Sequence, residues 1–258
     1  MPSVDPCRVL ITGASGAIGA ALAQAYAEPG RTLVLQGRNL DALEQVAKSC
    51  RRAGSEVIVE GVDLLERASA LAFIERHLAD MTPDLVVLNA GMNVHAPPGE
   101  AIEAAGEAEA LLTLNMMMTQ RLFDRVARAM LARGNGQIAL VSSLAADMGL
   151  PPTPAYSASK AAVKAYGEAM RGALAPRGVR VSVIMPGYVR SPMCDAMPGP
   201  KPFLVSPEQA ARRIRRGLSR NRGRIAFPFW LSLGTRWLGL MPVDWALTLL
   251  RRLGYRAP

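Results

Sequence analysis

Short runs of β-branched and aliphatic residues alternate along most of this chain with longer stretches in which apolar positions recur every three or four residues. The short runs read as strands at Arg8 to Thr12, Thr32 to Gln36, Glu56 to Gly61, Leu85 to Asn89, Gln137 to Ser142 and Arg180 to Met185, with a seventh at Arg224 to Phe227. The amphipathic stretches predict helices near residues 17–28, 40–53, 66–80, 107–133, 155–175 and 207–219. Strand and helix in this alternation predict an α/β fold with a doubly wound parallel sheet. Half of the 258 residues are apolar, enough for one large core or two small ones. Without an internal repeat or low-complexity linker, residues 1–258 read as a single domain.

The pattern breaks in two places. A Pro/Gly cluster from Pro186 to Pro207 follows the sixth strand, so an irregular segment leaves the carboxyl edge of the sheet, where ligands bind in open α/β folds. Residues 188–222 are therefore expected to cover a substrate. The second break is the tail, where 225–258 reads as a helical extension. Trp230, Leu233, Trp237, Leu240 and Met241 fall on one helical face, and Val243, Ala246, Leu247, Leu250 and Leu253 on another beyond Pro242. Two short amphipathic helices joined at that proline are the expected result. They do not make a membrane span, because Arg236 and Asp244 interrupt the apolar run. Two readings stay open. The tail is a lid or subunit contact that buries its tryptophans, or a peripheral anchor whose tryptophans enter a lipid interface while arginines meet anionic head groups.

Charge changes the picture only when it is divided. Residues 1–200 hold 18 Lys/Arg against 19 Asp/Glu, and residues 201–258 hold 12 against 2, so the tail region carries the whole net charge of +9. Seven arginines lie between Arg212 and Arg224. They mix with long apolar runs and no groove-reading motif, which argues against nucleic acid as a partner. Three cysteines, Cys7, Cys50 and Cys194, have no metal-ligand spacing, so neither a disulfide framework nor a metal site is expected. The start, Met1 to Pro6, is short and polar and runs into the first strand, so a cytoplasmic protein is expected, held at the inner membrane face if the tail is an anchor.

Two strings carry candidate chemistry. The first strand ends in Thr12-Gly13-Ala14-Ser15-Gly16-Ala17-Ile18-Gly19 and passes into a helix. Glycines at such a turn let the backbone approach a phosphate, and the free amides of the helix start attract its charge. Tyr156-Ser157-Ala158-Ser159-Lys160 opens another helical stretch, and the four-residue spacing sets Tyr156 and Lys160 on one face. There an ammonium can lower the phenol's pKa towards working pH, as a general acid for a carbonyl requires.

With the spacing of further residues, the sequence resembles the short-chain dehydrogenase/reductase family from about residue 7 to residue 192. The turn matches the family's Thr-Gly-x-x-x-Gly-x-Gly motif, with Ala17 where a glycine is usual. Asn89-Ala90-Gly91, Asn115, Ser143 thirteen residues before Tyr156, and Pro186-Gly187 follow in the family's order. The resemblance implies a Rossmann fold and hydride transfer between a nicotinamide and a small-molecule carbonyl or alcohol. It makes Tyr156 the proton donor or acceptor and Ser143 the residue that positions the substrate oxygen. Lys160 tunes Tyr156 and binds the nicotinamide ribose, and Asn115 holds a water that links Lys160 to solvent. Ser142 could be mistaken for Ser143, but only one of two neighbouring strand residues faces the pocket. Asn115 and Asn89 could equally satisfy backbone groups.

The implied cofactor site comprises Gly13, Ser15, Gly16, Ala17, Ile18, Gly19, Arg38, Asp63, Leu64, Asn89, Ala90, Gly91, Tyr156, Lys160, Pro186, Gly187 and Val189. The second strand ends Gln36-Gly37-Arg38 without an acid for the adenosine ribose, and the Arg38 guanidinium suits a 2′-phosphate, so NADP(H) is favoured over NAD(H) and reduction over oxidation. A solvated Arg38 is the plain alternative. By position the substrate meets Ser143, Leu144, Met148, Leu150, Tyr188 and Met193, mostly apolar, which suits a hydrophobic carbonyl compound, with lipid-linked and polysaccharide-precursor ketones open. The family commonly pairs through the helices near 107–133 and 155–175, where Met116 to Met118 and Ala161 to Ala165 are apolar beyond one stripe, so a homodimer or homotetramer is expected. A nucleotide-binding regulator or scaffold of the same fold, without catalysis, is the alternative function.

Overall fold

The computed structural model describes residues 6–255 apart from 98, 99, 101 and 198. Residues 1–5, and the last three residues of the expected 225–258 extension, lie outside the described residues. Seven strands form one sheet: β1 (Arg8–Thr12), β2 (Thr32–Gly37), β3 (Glu56–Gly61), β4 (Leu85–Leu88), β5 (Gly136–Val141), β6 (Val179–Pro186) and β7 (Arg224–Phe227). Their order is β3-β2-β1-β4-β5-β6-β7, and every pairing is parallel. The chain builds outward from β1 to β3, returns to set β4 beside β1, and builds to the opposite edge. That reversal leaves a crevice above the carboxyl ends of β1 and β4.

Helices flank the sheet, α1 (Ala17–Tyr26), α2 (Leu40–Arg52), α3 (Arg67–Asp80), α4 (Ala105–Leu112), α5 (Thr119–Arg133), α6 (Pro154–Leu174) and α8 (Pro207–Ser219), and a short α7 (Pro192–Ala196) lies in the segment beyond β6. Strand alternation divides the interior into two cores. Val9, Ile11, Leu33 and Leu35 pack with α1, α2 and α8, whereas Leu10, Val34 and Val86 pack with α3, α5 and α6. The helix expected over 107–133 is not one α-helix. A π-helical segment, Thr113–Met118, joins α4 to α5 and carries Asn115. Such widened turns occur often at functional sites.

Beyond β6, the described residues of 188–206 lie over the carboxyl edge, closed on themselves by a bridge between Val189 and Val205. Of the expected covering segment 188–222, α8 instead covers the sheet. It opens with a capping box between Ser206 and Gln209 and is tied to α1 by Arg215 Nη1, which donates to Ala25 O at 2.6 Å. The tail forms α9 (Phe229–Leu238) and α10 (Val243–Arg252), separated at Pro242 as the pattern predicts. Among the described residues no helix is long and apolar enough to cross a membrane.

Candidate active site

The turn after β1 is shaped by close backbone approaches. Gly13 has φ +64°, and a Cβ there would lie 2.8 Å from the Cα of Ala90. A Cβ at Gly19 would lie 2.4 Å from the Gly13 carbonyl, so this glycine lets α1 start directly under the turn. Asn89 fastens β4 to it, donating from Nδ2 to the carbonyls of Thr12 and Gly13 at 3.0 and 3.1 Å. From beneath, buried Gln36 accepts from Gly13 N at 3.1 Å and donates to Val62 O at 2.6 Å. Sequence reasoning weighed Gln36 only as the place of a missing acid; its position at the end of an apolar strand was the signal that it faces inward. Gly16 caps α1 with no side-chain hydrogen bond, and the first turn has no acidic residue. The amides of that turn therefore face the crevice without a competing anion, which fits a pyrophosphate.

Two elements bring the polar cluster together. Ser142 and Ser143 follow β5 and both border the cleft, with different partners. Ser142 Oγ donates to the Lys160 carbonyl at 2.6 Å and holds α6, while Ser143 Oγ accepts from Ala145 N at 3.1 Å and faces the cleft beside Tyr156. Tyr156 and Lys160 lie one turn apart on α6, with Lys160 Nζ 5.6 Å from the phenol ring centroid. Lys160 is 4% exposed and donates to Val141 O at 3.0 Å, and burial pulls its pKa down to about 8. The expectation for Tyr156 is corrected in direction: the cleft walls desolvate the phenol and push its pKa up, with a hydrogen bond from Ser143 acting the other way.

Asn115 sits just behind this cluster. Its Oδ1 accepts from Met92 N at 2.9 Å, and its Nδ2 donates to Met92 O at 2.9 Å and to Ser159 Oγ at 3.1 Å. Both amide protons are thereby used, so the side chain can meet a water only through Oδ1. Asn115 and Gly19 stand outside the cleft lining, as supports. The other expected residues all line one cleft of about 1530 Å³: Ser15, Ala17, Ile18, Arg38, Asp63, Leu64, Ala90 and Gly91 at one end, and Leu144, Met148, Leu150, Pro186, Gly187, Tyr188, Val189 and Met193 at the other. Arg38 is at the lip, 65% exposed, with Nη1 3.9 Å from Asp63 Oδ2.

The tail supplies a wall that sequence reasoning left undecided. Leu231, Leu238 and Leu250 line the cleft, and a Cβ on Gly187 would lie 2.7 Å from Leu231. Buried Asp147 accepts from Lys164 of α6 at 2.6 Å and from Thr235 of α9 at 3.2 Å. Tyr188 donates to Tyr255 at 3.1 Å, and Tyr255 donates to Pro200 O at 3.0 Å, which latches the chain beyond α10 onto the 188–206 segment.

A parallel sheet of this order, with an uncapped glycine turn at its switch point and a Ser, Tyr and Lys at the floor of an apolar cleft, defines an α/β enzyme of the dinucleotide-binding class. The short chain dehydrogenase family model matches residues 8–199. The chain belongs to that family, the short-chain dehydrogenase/reductases, and is an NAD(P)-dependent oxidoreductase. An uncharacterized oxidoreductase of Myxococcus xanthus is 33% identical over 90% of this chain and 92% of its own length. The 11-beta-hydroxysteroid dehydrogenase 1A of Arabidopsis thaliana is 31% identical over 95% of this chain and 76% of its own length. A solved short-chain dehydrogenase from Sphingobium yanoikuyae in complex with NADPH superposes at a TM-score of 0.80 and 26% identity, covering 98% of this chain and 96% of that one.

Proposed function

We propose that this chain is an NADPH-dependent reductase of a hydrophobic ketone or aldehyde, with Ser143, Tyr156 and Lys160 as its working residues. The observation that carries this reading is their convergence at the floor of a mostly apolar cleft whose other end is the glycine turn. When bound, the nicotinamide supplies the hydride that the carbonyl carbon accepts. Ser143 Oγ orients the substrate oxygen, and Tyr156 gives that oxygen its phenolic proton, so hydride and proton together convert C=O to CH–OH. Desolvation favours the neutral phenol, which holds the proton that reduction delivers. Lys160 uses one N–H on Val141 and keeps two for the ribose hydroxyls. Asn115 fixes the loop after β4 and the back of α6 through Met92 and Ser159.

The NADPH preference rests on Arg38, a guanidinium at the open lip beside the end of β2, where no acid competes for a 2′-phosphate except the loosely placed Asp63. The NADPH bound to the Sphingobium relative supports it. Apolar walls at Leu144, Met148, Leu150 and Met193 favour a hydrophobic substrate, a reading to which the plant relative named as a steroid dehydrogenase lends support. The protein works in the cytoplasm as a homodimer or homotetramer, paired through the outer sides of α4 to α6, where Leu112, Met117, Ala161 and Ala165 are exposed. A panel of aliphatic, alicyclic and steroid ketones with NADPH and with NADH, followed by nicotinamide absorbance, tests the reading. Turnover of hydrophobic members with NADPH is expected; binding of NADPH without turnover of any carbonyl would return the protein to a silent nucleotide-binding scaffold.

A further inference from the structure

The tail helices have two apolar faces, and only one is used by the fold. Inward, Leu231, Leu238 and Leu250 wall the cleft. Outward, Phe229, Trp230, Trp237, Leu240 and Trp245 are 65–82% exposed. All three tryptophans of the chain are on this surface. A soluble surface seldom gathers so many large apolar side chains without a partner.

The surface is held rigidly. Thr235 bonds to Asp147, the Gly187 backbone lies against Leu231, and Tyr255 latches to Tyr188 and Pro200. The helices cannot roll to bury their tryptophans without breaking these contacts and emptying the cleft wall. The surface also surrounds an opening. Trp230, Trp237, Met193 and Phe203 both line the cleft and are exposed, which places them on its rim.

From this placement we infer that the rim docks on an anionic phospholipid bilayer through the outward faces of α9 and α10, and that the substrate enters the cleft from the lipid. The inference rests on the reading of the cleft as the active site. Charge complementarity selects the occupant: residues 225–258 hold four arginines and one acid, and Arg236 and Arg252 are exposed among the tryptophans. Tryptophan rings at the head-group level and arginines against lipid phosphates are the chemistry of interfacial helices. A second copy on the same face would cover the opening through which substrate must pass. A bilayer leaves the opening continuous with an apolar reservoir, and thereby concentrates a substrate that water dissolves poorly. The lid and the anchor are the two sides of one structure.

The test uses the full chain with vesicles of phosphatidylcholine alone or mixed with phosphatidylglycerol, at low salt, followed by sedimentation and tryptophan emission. Sedimentation with the mixed vesicles, a blue shift, and quenching by brominated acyl chains are expected. The combined variant Phe229→Ser, Leu240→Ser, Trp245→Ser changes residues outside the cleft lining, and should weaken sedimentation at least about tenfold while NADPH-dependent turnover of a water-soluble ketone is kept. Wild-type protein that stays in the supernatant with both vesicles overturns the inference, as does a variant that sediments like wild type. A variant that instead halves the mass in light scattering assigns the face to a second copy and also overturns it. Absence of ketone turnover in the wild type strikes the enzymatic reading and, with it, the entry of substrate from the lipid, whereas the docking itself is read from vesicles without substrate.

Discussion

Asp147 joins the tail to the active-site region, and its removal has a calculable effect. The carboxylate is 5% exposed, bonded to Lys164 at 2.6 Å and to Thr235 at 3.2 Å. Asp147→Ala removes an ion-paired bond of about 1.5–3 kcal/mol and a long hydroxyl–carboxylate bond of about 1 kcal/mol, weak because the Thr235 proton is shared with Ser232 O at 3.2 Å. Lys164 is 21% exposed and regains water, which offsets part of that loss. The net destabilisation should be about 2–3 kcal/mol, a fall of roughly 5–10 °C in Tm for a domain of this size. Urea and thermal unfolding of Asp147→Ala, Thr235→Val and the double variant form a cycle, and the coupling between the two sites should be about 1 kcal/mol. Because α9 is the cleft wall, the same variants should raise KM for a bulky ketone more than they change kcat. Strictly additive losses, or a loss under about 0.5 kcal/mol for Asp147→Ala, would refute the tie between the α6 region and α9.

Arg38→Ala should weaken NADPH binding by about 1.5–3 kcal/mol and leave NADH nearly unchanged; equal losses in titrations with both cofactors would make Arg38 structural. Lys160 carries a pH signature. Its folded pKa is about 8 against an ordinary 10.5, so between these values the unfolded chain binds more protons and stability rises with pH. Relative to Lys160→Met, the wild type should gain up to about 3 kcal/mol across that window in urea unfolding, and a pH-independent difference would contradict the burial argument. Light scattering at micromolar concentration should give a dimer or tetramer that Met117→Lys weakens, whereas a monomeric wild type would remove the pairing through α4 to α6.

Strands and motifs were legible because both depend on neighbours in sequence. Val9 to Ile11, Leu33 to Leu35 and Val86 to Leu88 are apolar at every position because helices cover both faces, and that pattern needs no tertiary information. Ser143 could be separated from Ser142 by spacing, and the two hydroxyls have different partners, Ser142 donating to the Lys160 carbonyl and Ser143 accepting from Ala145 N. Long-range pairings were not legible. Asp147 meets Thr235 across 88 positions and Tyr188 meets Tyr255 across 67, and no local pattern reports either. The widened turn at Thr113–Met118 was hidden for another reason: its apolar positions satisfy a helical period, and only the backbone shows the extra residue. The rise in the Tyr156 pKa was also missed, because a four-residue spacing reports the nearby ammonium and is blind to desolvation by walls drawn from distant segments.

The assignment of Tyr156 as proton donor is tested most directly by Tyr156→Phe, which keeps the ring and its packing and removes only the hydroxyl. With NADPH and a reducible hydrophobic ketone, single-turnover oxidation of the cofactor should slow by about 10²–10⁴-fold, while the Kd for NADPH stays within about twofold of wild type. A variant that keeps more than a few per cent of the wild-type rate contradicts it.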